Sequence, residues 1–287
     1  MKLLYTLFAC AILNPAFSQG PHRNDVVIPN SEYQLLESNN VKGVTYKLVV
    51  TLPAEYNPAN EKRYPVVYYN DAFLYTELIT GTNSILSMAK AMPAVILLGI
   101  SYEVGDFKSW IANRTRDLTP SYVTPDSASN LVGRDSGKAK QFVAFTKEEL
   151  IPFIDRNYKT AVEQRTLLGH SLGGLFATWV LLYEPDMFQN YLLGSPSLWW
   201  DDYKILGEFD SSIEKLKKAK AKVFIGSGLE EPKSISKSHK AIYDFLNKPE
   251  FSGLELESRY FEGENHISVN PVLYTRALRF FFKKSVE

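Results

Sequence analysis

Thr166-Leu167-Leu168-Gly169-His170-Ser171-Leu172-Gly173-Gly174 passes from a short apolar run, through a serine between glycines, into an apolar pattern that continues to Tyr183. The run has the composition of a buried strand, and Leu172–Tyr183 has that of a buried helix. A G-x-S-x-G segment between a strand and a helix is the context in which a serine becomes a nucleophile. The serine sits on a sharp, strained turn, so Gly169 and Gly173 are expected to leave room for neighbouring chain. At the N-terminus of a helix, the Leu172 amide and the helix dipole both point at any oxyanion that forms on a substrate. The alternative is a glycine-rich turn of purely structural use.

Outward from this segment, strand-like runs recur at Val44–Leu52, Pro65–Tyr69, Ala94–Ile100, Tyr191–Gly194, Lys222–Gly226 and Leu254–Phe261. Several are continuous apolar runs, as in Val66-Val67-Tyr68-Tyr69, which is expected of strands covered on both faces. Helical patterns lie between them at Lys138–Arg156, Leu172–Tyr183, Ile235–Leu246 and Pro271–Phe282. Strand alternating with helix predicts an α/β fold, a mostly parallel central sheet with helices on both faces. Asp106–Ser136 reads as a long, polar, irregular segment, the kind that serves as a lid or binding loop.

The ends and the composition narrow the setting. Met1-Lys2 followed by the apolar run Leu3–Leu13 and the small residues Ala16 and Ser18 fits a secretory signal over residues 1–18, cleaved after Ser18. The run is too short to span a bilayer. Residues 19–287 then form one domain, periplasmic or secreted from a bacterium. The one cysteine, Cys10, lies in the leader, which leaves the mature chain without disulfide or thiolate chemistry. With 45% hydrophobic and 22% charged residues, the chain is globular in composition. Its 32 basic and 32 acidic side chains give it no bulk attraction to nucleic acid.

A serine nucleophile needs a base, and the chain has four histidines. His22 lies in the N-terminal tail, His170 adjoins Ser171, and His239 opens a helix. His266, in Glu262-Gly263-Glu264-Asn265-His266, follows the last strand, where this architecture places its base after the nucleophile and the acid. The acid belongs after the strand before the last, in Gly226-Ser227-Gly228-Leu229-Glu230-Glu231-Pro232. Glu230 is the first candidate and Glu231 the second; a Ser171–His266 dyad is the remaining alternative.

With these residues stand Tyr64-Pro65-Val66-Val67-Tyr68-Tyr69-Asn70-Asp71, Arg114-Thr115-Arg116-Asp117-Leu118-Thr119-Pro120 and Ser195-Pro196-Ser197-Leu198-Trp199-Trp200. Together they resemble the esterase group of the α/β-hydrolase superfamily that contains esterase D, feruloyl and acetylxylan esterases and siderophore trilactone esterases. The resemblance runs from about residue 35 to residue 283, and the arginine and tryptophan motifs are most similar to the siderophore branch. It implies an α/β-hydrolase fold, Ser171 as nucleophile, His266 as base and Glu230 as the position nearest any acid. It also places a second oxyanion donor near Asp71-Ala72-Phe73, at the backbone N–H of Ala72, where members of the group often carry glycine.

Arg114 is a candidate for binding an anionic or polar acyl portion, against the alternative that Arg116–Asp117 merely fastens its segment. Trp199 and Trp200 are candidates for stacking on a substrate ring at the cleft mouth. The expected function is hydrolysis of a small-molecule carboxylic ester through an acyl-enzyme, with no cofactor and no metal. A siderophore trilactone and a carbohydrate-linked acetyl or feruloyl ester are the substrate alternatives. A catalytically silent binding protein on the same fold is the alternative of another class.

Overall fold

The computed structural model describes residues 27–104, 106–124 and 135–283; the leader expected at residues 1–18 lies outside them. Eight strands form one sheet: β1 (Ser31–Glu37), β2 (Thr45–Thr51), β3 (Tyr64–Tyr69), β4 (Ile96–Tyr102), β5 (Thr160–His170), β6 (Asn190–Gly194), β7 (Ala221–Gly228) and β8 (Leu254–Phe261). Their order is β1-β2-β4-β3-β5-β6-β7-β8. β1–β2 and β2–β4 pair antiparallel, and every later neighbour pairs parallel. This is the α/β-hydrolase arrangement. The continuous apolar runs are the central strands: every residue of β3, β4 and β6 is buried.

The helices are α1 (Ala72–Met88), α2 (Phe107–Leu118), α3 (Ala139–Phe145), α4 (Ile151–Asn157), α5 (Leu172–Tyr183), the single turn α6 (Trp200–Tyr203), α7 (Phe209–Leu216), α8 (Lys233–Leu246) and α9 (Asn270–Phe281). Alternation along each strand divides the core into two layers. Val67, Leu97, Leu168, Leu192 and Phe224 face α1 and α9. Val66, Leu98, Leu167, Leu193 and Ile225 face the layer built from α2, α3, α5 and α8. Each such side chain, fully buried, contributes about 1.5–3 kcal/mol.

Two expectations are corrected. The Lys138–Arg156 pattern is not one regular helix, because a π turn at Thr146–Leu150 joins α3 to α4. Asp106–Ser136 is not irregular throughout. Its first part is α2, started by Asp106, whose carboxylate accepts from the Ser109 N–H at 2.9 Å and the Ser109 hydroxyl at 2.7 Å. Residues 125–134 of that segment lie outside the described residues.

His239 on α8 is a core residue. Its ring bridges the hydroxyls of Ser227 on β7 and Ser258 on β8, both at 2.8 Å, and stacks on Tyr260. Burial lowers its pKa to about 4. The unfolded chain therefore takes up a proton here near pH 6.5 that the folded chain refuses, so this contribution to stability is present above pH 6.5 and is lost as pH falls towards 4. Between pH 7 and pH 5 the expected loss is about 2 kcal/mol. Buried His170 adds to the total in the same direction, so the difference between the wild type and His239→Gln in urea unfolding at the two pH values isolates it. His239→Gln should be less stable at pH 7 and have a flatter pH dependence; an unchanged slope would contradict the assignment.

Candidate active site

The C-terminal ends of the parallel strands carry the site. β5 ends at His170, α5 begins at Leu172, and Ser171 between them has φ 59° and ψ −120°, a conformation that costs an L-residue energy. Packing imposes it. A methyl on Gly169 would lie 2.0 Å from the Gly173 carbonyl oxygen, and one on Gly174 would lie 2.5 Å from the Gly194 carbonyl oxygen. The close approaches therefore fall at Gly169 and Gly174. Gly173, expected to be the second of them, has nothing nearer than 3.5 Å, and its neighbours are Asn70 and Asp71.

His266 enters from the loop between β8 and α9. Asn265 shapes that loop, its side-chain carbonyl accepting from the N–H groups of Ile267 and Ser268 at 2.9 and 3.1 Å. The His266 Nε2 lies 3.0 Å from the Ser171 Oγ, and its Nδ1 lies 2.7 Å from the Glu231 Oε2. An ionised carboxylate is an acceptor only, so Nδ1 carries the proton and Nε2 presents a lone pair to the serine hydroxyl. His170, next to Ser171, is buried with its Nδ1 3.2 Å from the Tyr75 hydroxyl. Burial, reinforced by His266 and Arg114, holds its pKa well below the ordinary histidine value.

The carboxylate beside His266 is Glu231, and the expectation of Glu230 there is corrected. Glu230 is exposed, and its backbone N–H donates to the Glu264 carbonyl at 3.0 Å. The next residue points inward. Glu231 Oε1 accepts from the Ser195 hydroxyl and the Gly228 N–H, both at 2.6 Å, while Oε2 takes His266. Burial alone would raise the Glu231 carboxyl. The hydrogen bonds from His266, Ser195 and Gly228 outweigh it and hold the pKa below the usual carboxylate value.

Leu172 is the first residue of α5, so its N–H has no partner within the helix. Ala72 holds the same position in α1, behind Asp71 in the left-handed region at φ 59°. The two turns lie close together: a methyl on Gly173 would stand 3.5 Å from the Asn70 Cβ and 3.7 Å from the Asp71 Oδ2. The structure places Arg114 as a brace for this turn. Its Nε and Nη2 each donate to Asp71 at 2.8 Å, both partners are buried, and the guanidinium lies over the Trp110 ring. Arg116 likewise grips Asp117 at 2.7 and 2.8 Å, and Asp117 also accepts from Tyr46 at 2.8 Å. Trp200 is corrected too: it is buried, with its indole N–H donating to the Ser121 carbonyl at 3.0 Å. Trp199 is 41% exposed.

Phe73, Leu229 and Ile267 are also exposed apolar residues, each adjoining a residue of the site. Sequence reasoning missed them, along with Ser195 and Ser197. The signal was available in the adjacency of these residues to Ala72, Gly228 and His266, and in the Ser-Pro-Ser motif. Among the described residues, no group of three or more His, Cys, Asp or Glu side chains is placed to hold a metal ion, and no helix is long and apolar enough to cross a membrane.

A hydroxyl, an imidazole and a carboxylate in this order, at the ends of these strands, are the arrangement of serine hydrolases on the α/β-hydrolase fold. The family described as "Putative esterase" matches residues 38–267. The ferri-bacillibactin esterase BesA of Bacillus subtilis is 34% identical over 279 residues, covering 92% of this chain and 93% of BesA. A crystal structure of the BES protein from Bacillus cereus superposes with a TM-score of 0.80, at 27% identity over 91% of this chain and 99% of that one. An IroE-like serine hydrolase from Shewanella oneidensis gives 0.75, at 27% identity over 90% and 82% of the two chains. The chain belongs to this esterase family and is a carboxylic ester hydrolase.

The difference between the two glutamates is directly testable. Glu231→Gln should lower kcat by about a thousandfold or more, since an amide no longer selects the Nδ1–H tautomer. Glu230→Gln should leave kcat essentially unchanged. Steady-state kinetics on any hydrolysed ester measures both, and the reverse ranking would contradict the geometry.

Proposed function

We propose that the protein is an exported siderophore esterase that opens the ester bonds of a trilactone through an acyl-enzyme on Ser171. The observation that carries the chemistry is the continuous line from Glu231 through His266 to Ser171, at 2.7 and 3.0 Å. In this reading His266 takes the Ser171 proton as Oγ adds to the ester carbonyl carbon, and Glu231 stabilises the imidazolium that forms. The carbonyl electron pair moves to the oxygen, where the N–H groups of Leu172 and Ala72 meet it. Collapse of that intermediate expels the alcohol, which leaves with the proton from His266. Water then repeats the sequence on the acyl-enzyme and frees Ser171.

Two things support the substrate class. BesA is named for a ferri-siderophore, and a siderophore enterobactin esterase of Emericella nidulans is 29% identical over 57% of this chain and 57% of its own. The exposed apolar side chains Phe73, Leu229 and Ile267, neighbours in sequence of Ala72, Gly228 and His266, and Trp199, two residues after Ser197, suit an aromatic acyl group. Export rests on the leader sequence of residues 1–18.

The test is hydrolysis of a catecholate trilactone, with and without ferric ion, beside p-nitrophenyl, acetyl-xylan and feruloyl esters. The expected outcome is a kcat/KM for the trilactone about 100-fold above that for any of the others. A preference for the sugar-linked or simple esters would overturn the substrate, and no hydrolysis of any of them would favour a silent binding protein.

A further inference from the structure

Ser195-Pro196-Ser197 leaves β6 and reaches both ends of the Glu231–His266–Ser171 line. Ser195, at φ 38°, donates its hydroxyl to Glu231. Ser197, two residues on, is 1% exposed; its N–H donates to the Ser171 carbonyl at 3.1 Å and its Oγ lies 3.3 Å from the Ser171 Oγ. Among the described residues the Ser171 oxygen is the one partner of that hydroxyl. The Ser171 proton is committed to His266 Nε2, so the Ser171 oxygen is the acceptor and the Ser197 hydroxyl is the donor.

We propose that Ser197 is a catalytic residue whose hydroxyl stabilises the Ser171 oxygen as it departs during deacylation. The proposal rests on the reading of Ser171 as the nucleophile. In the acyl-enzyme that oxygen is part of an ester, and its lone pair is delocalised into the carbonyl, which makes it a weak acceptor. Water adds to the acyl carbon while giving a proton to His266. When the intermediate collapses, the bond between the acyl carbon and Oγ breaks, and its electron pair goes to Oγ. His266 returns the proton there. The Ser197 hydrogen bond strengthens as that electron pair arrives, and Ser197 itself gains and loses nothing. Acylation differs, because there the oxygen starts as a hydroxyl and already accepts well. Only an interaction that is stronger in the transition state than in the ground state accelerates a step. Ser197 therefore favours departure over attack.

Rapid mixing of Ser197→Ala and the wild type with p-nitrophenyl butyrate separates the two steps. The pre-steady-state burst should keep its rate within about twofold, and the steady-state rate should fall about fivefold to tenfold, the worth of one hydrogen bond to a developing charge. Intact-mass analysis during turnover should show the butyryl-enzyme accumulating. Ser197→Cys, which keeps a weaker donor in similar volume, should fall between the two and carries the test if the alanine variant does not fold. Equal loss in both phases, or no loss in either, would overturn the proposal. Wild-type turnover by Ser171→Ala would instead overturn the reading of the nucleophile.

Discussion

The backbone of Ser171 at φ 59° is the constraint on which the rest of the site depends. A serine at that angle is held by its surroundings, because no local preference of the residue favours it. The Gly173 carbonyl occupies the space where a side chain on Gly169 would stand, and the Gly194 carbonyl does the same for Gly174. Both contacts draw α5 onto β5 and β6, so the strain of one residue is met by the packing of two parallel strands and a buried helix. In return Oγ stands at the sheet's C-terminal edge, and the first N–H of α5 is free to meet a substrate oxygen.

The second constraint is electrostatic. Two carboxylates are buried around the serine, and each is fully engaged. Glu231 is surrounded by an imidazole N–H, a hydroxyl and a backbone amide. Asp71 accepts from Nε and Nη2 of Arg114, one oxygen to each. A buried charge that loses its partner costs about 3–5 kcal/mol, so these contacts determine where the loops after β3 and β7 lie. Arg114 thereby acts on the turn that carries Ala72.

The sequence made some of this legible and hid the rest for physical reasons. Val66–Tyr69 announces a strand by its β-branched and aromatic residues, and Leu254–Phe261 by the alternation of Leu254 and Leu256 with Glu255 and Glu257. β1 was missed because Ser-Glu-Tyr-Gln-Leu-Leu-Glu is a half-exposed edge, with Tyr33 and Leu35 facing outward. α1 was missed because Thr76, Ile79, Thr80, Thr82 and Ile85 are β-branched and weaken the helical signal. α2 escaped because its buried face includes Arg114, Thr115 and Asp117, and a core face built from ion pairs leaves no apolar periodicity. Glu230 and Glu231 are indistinguishable in sequence. Only the folded loop after β7 separates them, leaving Glu230 exposed and Glu231 buried against His266.

The central claim is that Ser171 is the activated nucleophile of this esterase. Inactivation with a fluorophosphonate, followed by intact-mass analysis and peptide mapping, tests it most directly. One adduct per chain is expected, on Ser171, formed in step with loss of activity. No adduct, or an adduct on another residue such as Ser195 or Ser197, would contradict it.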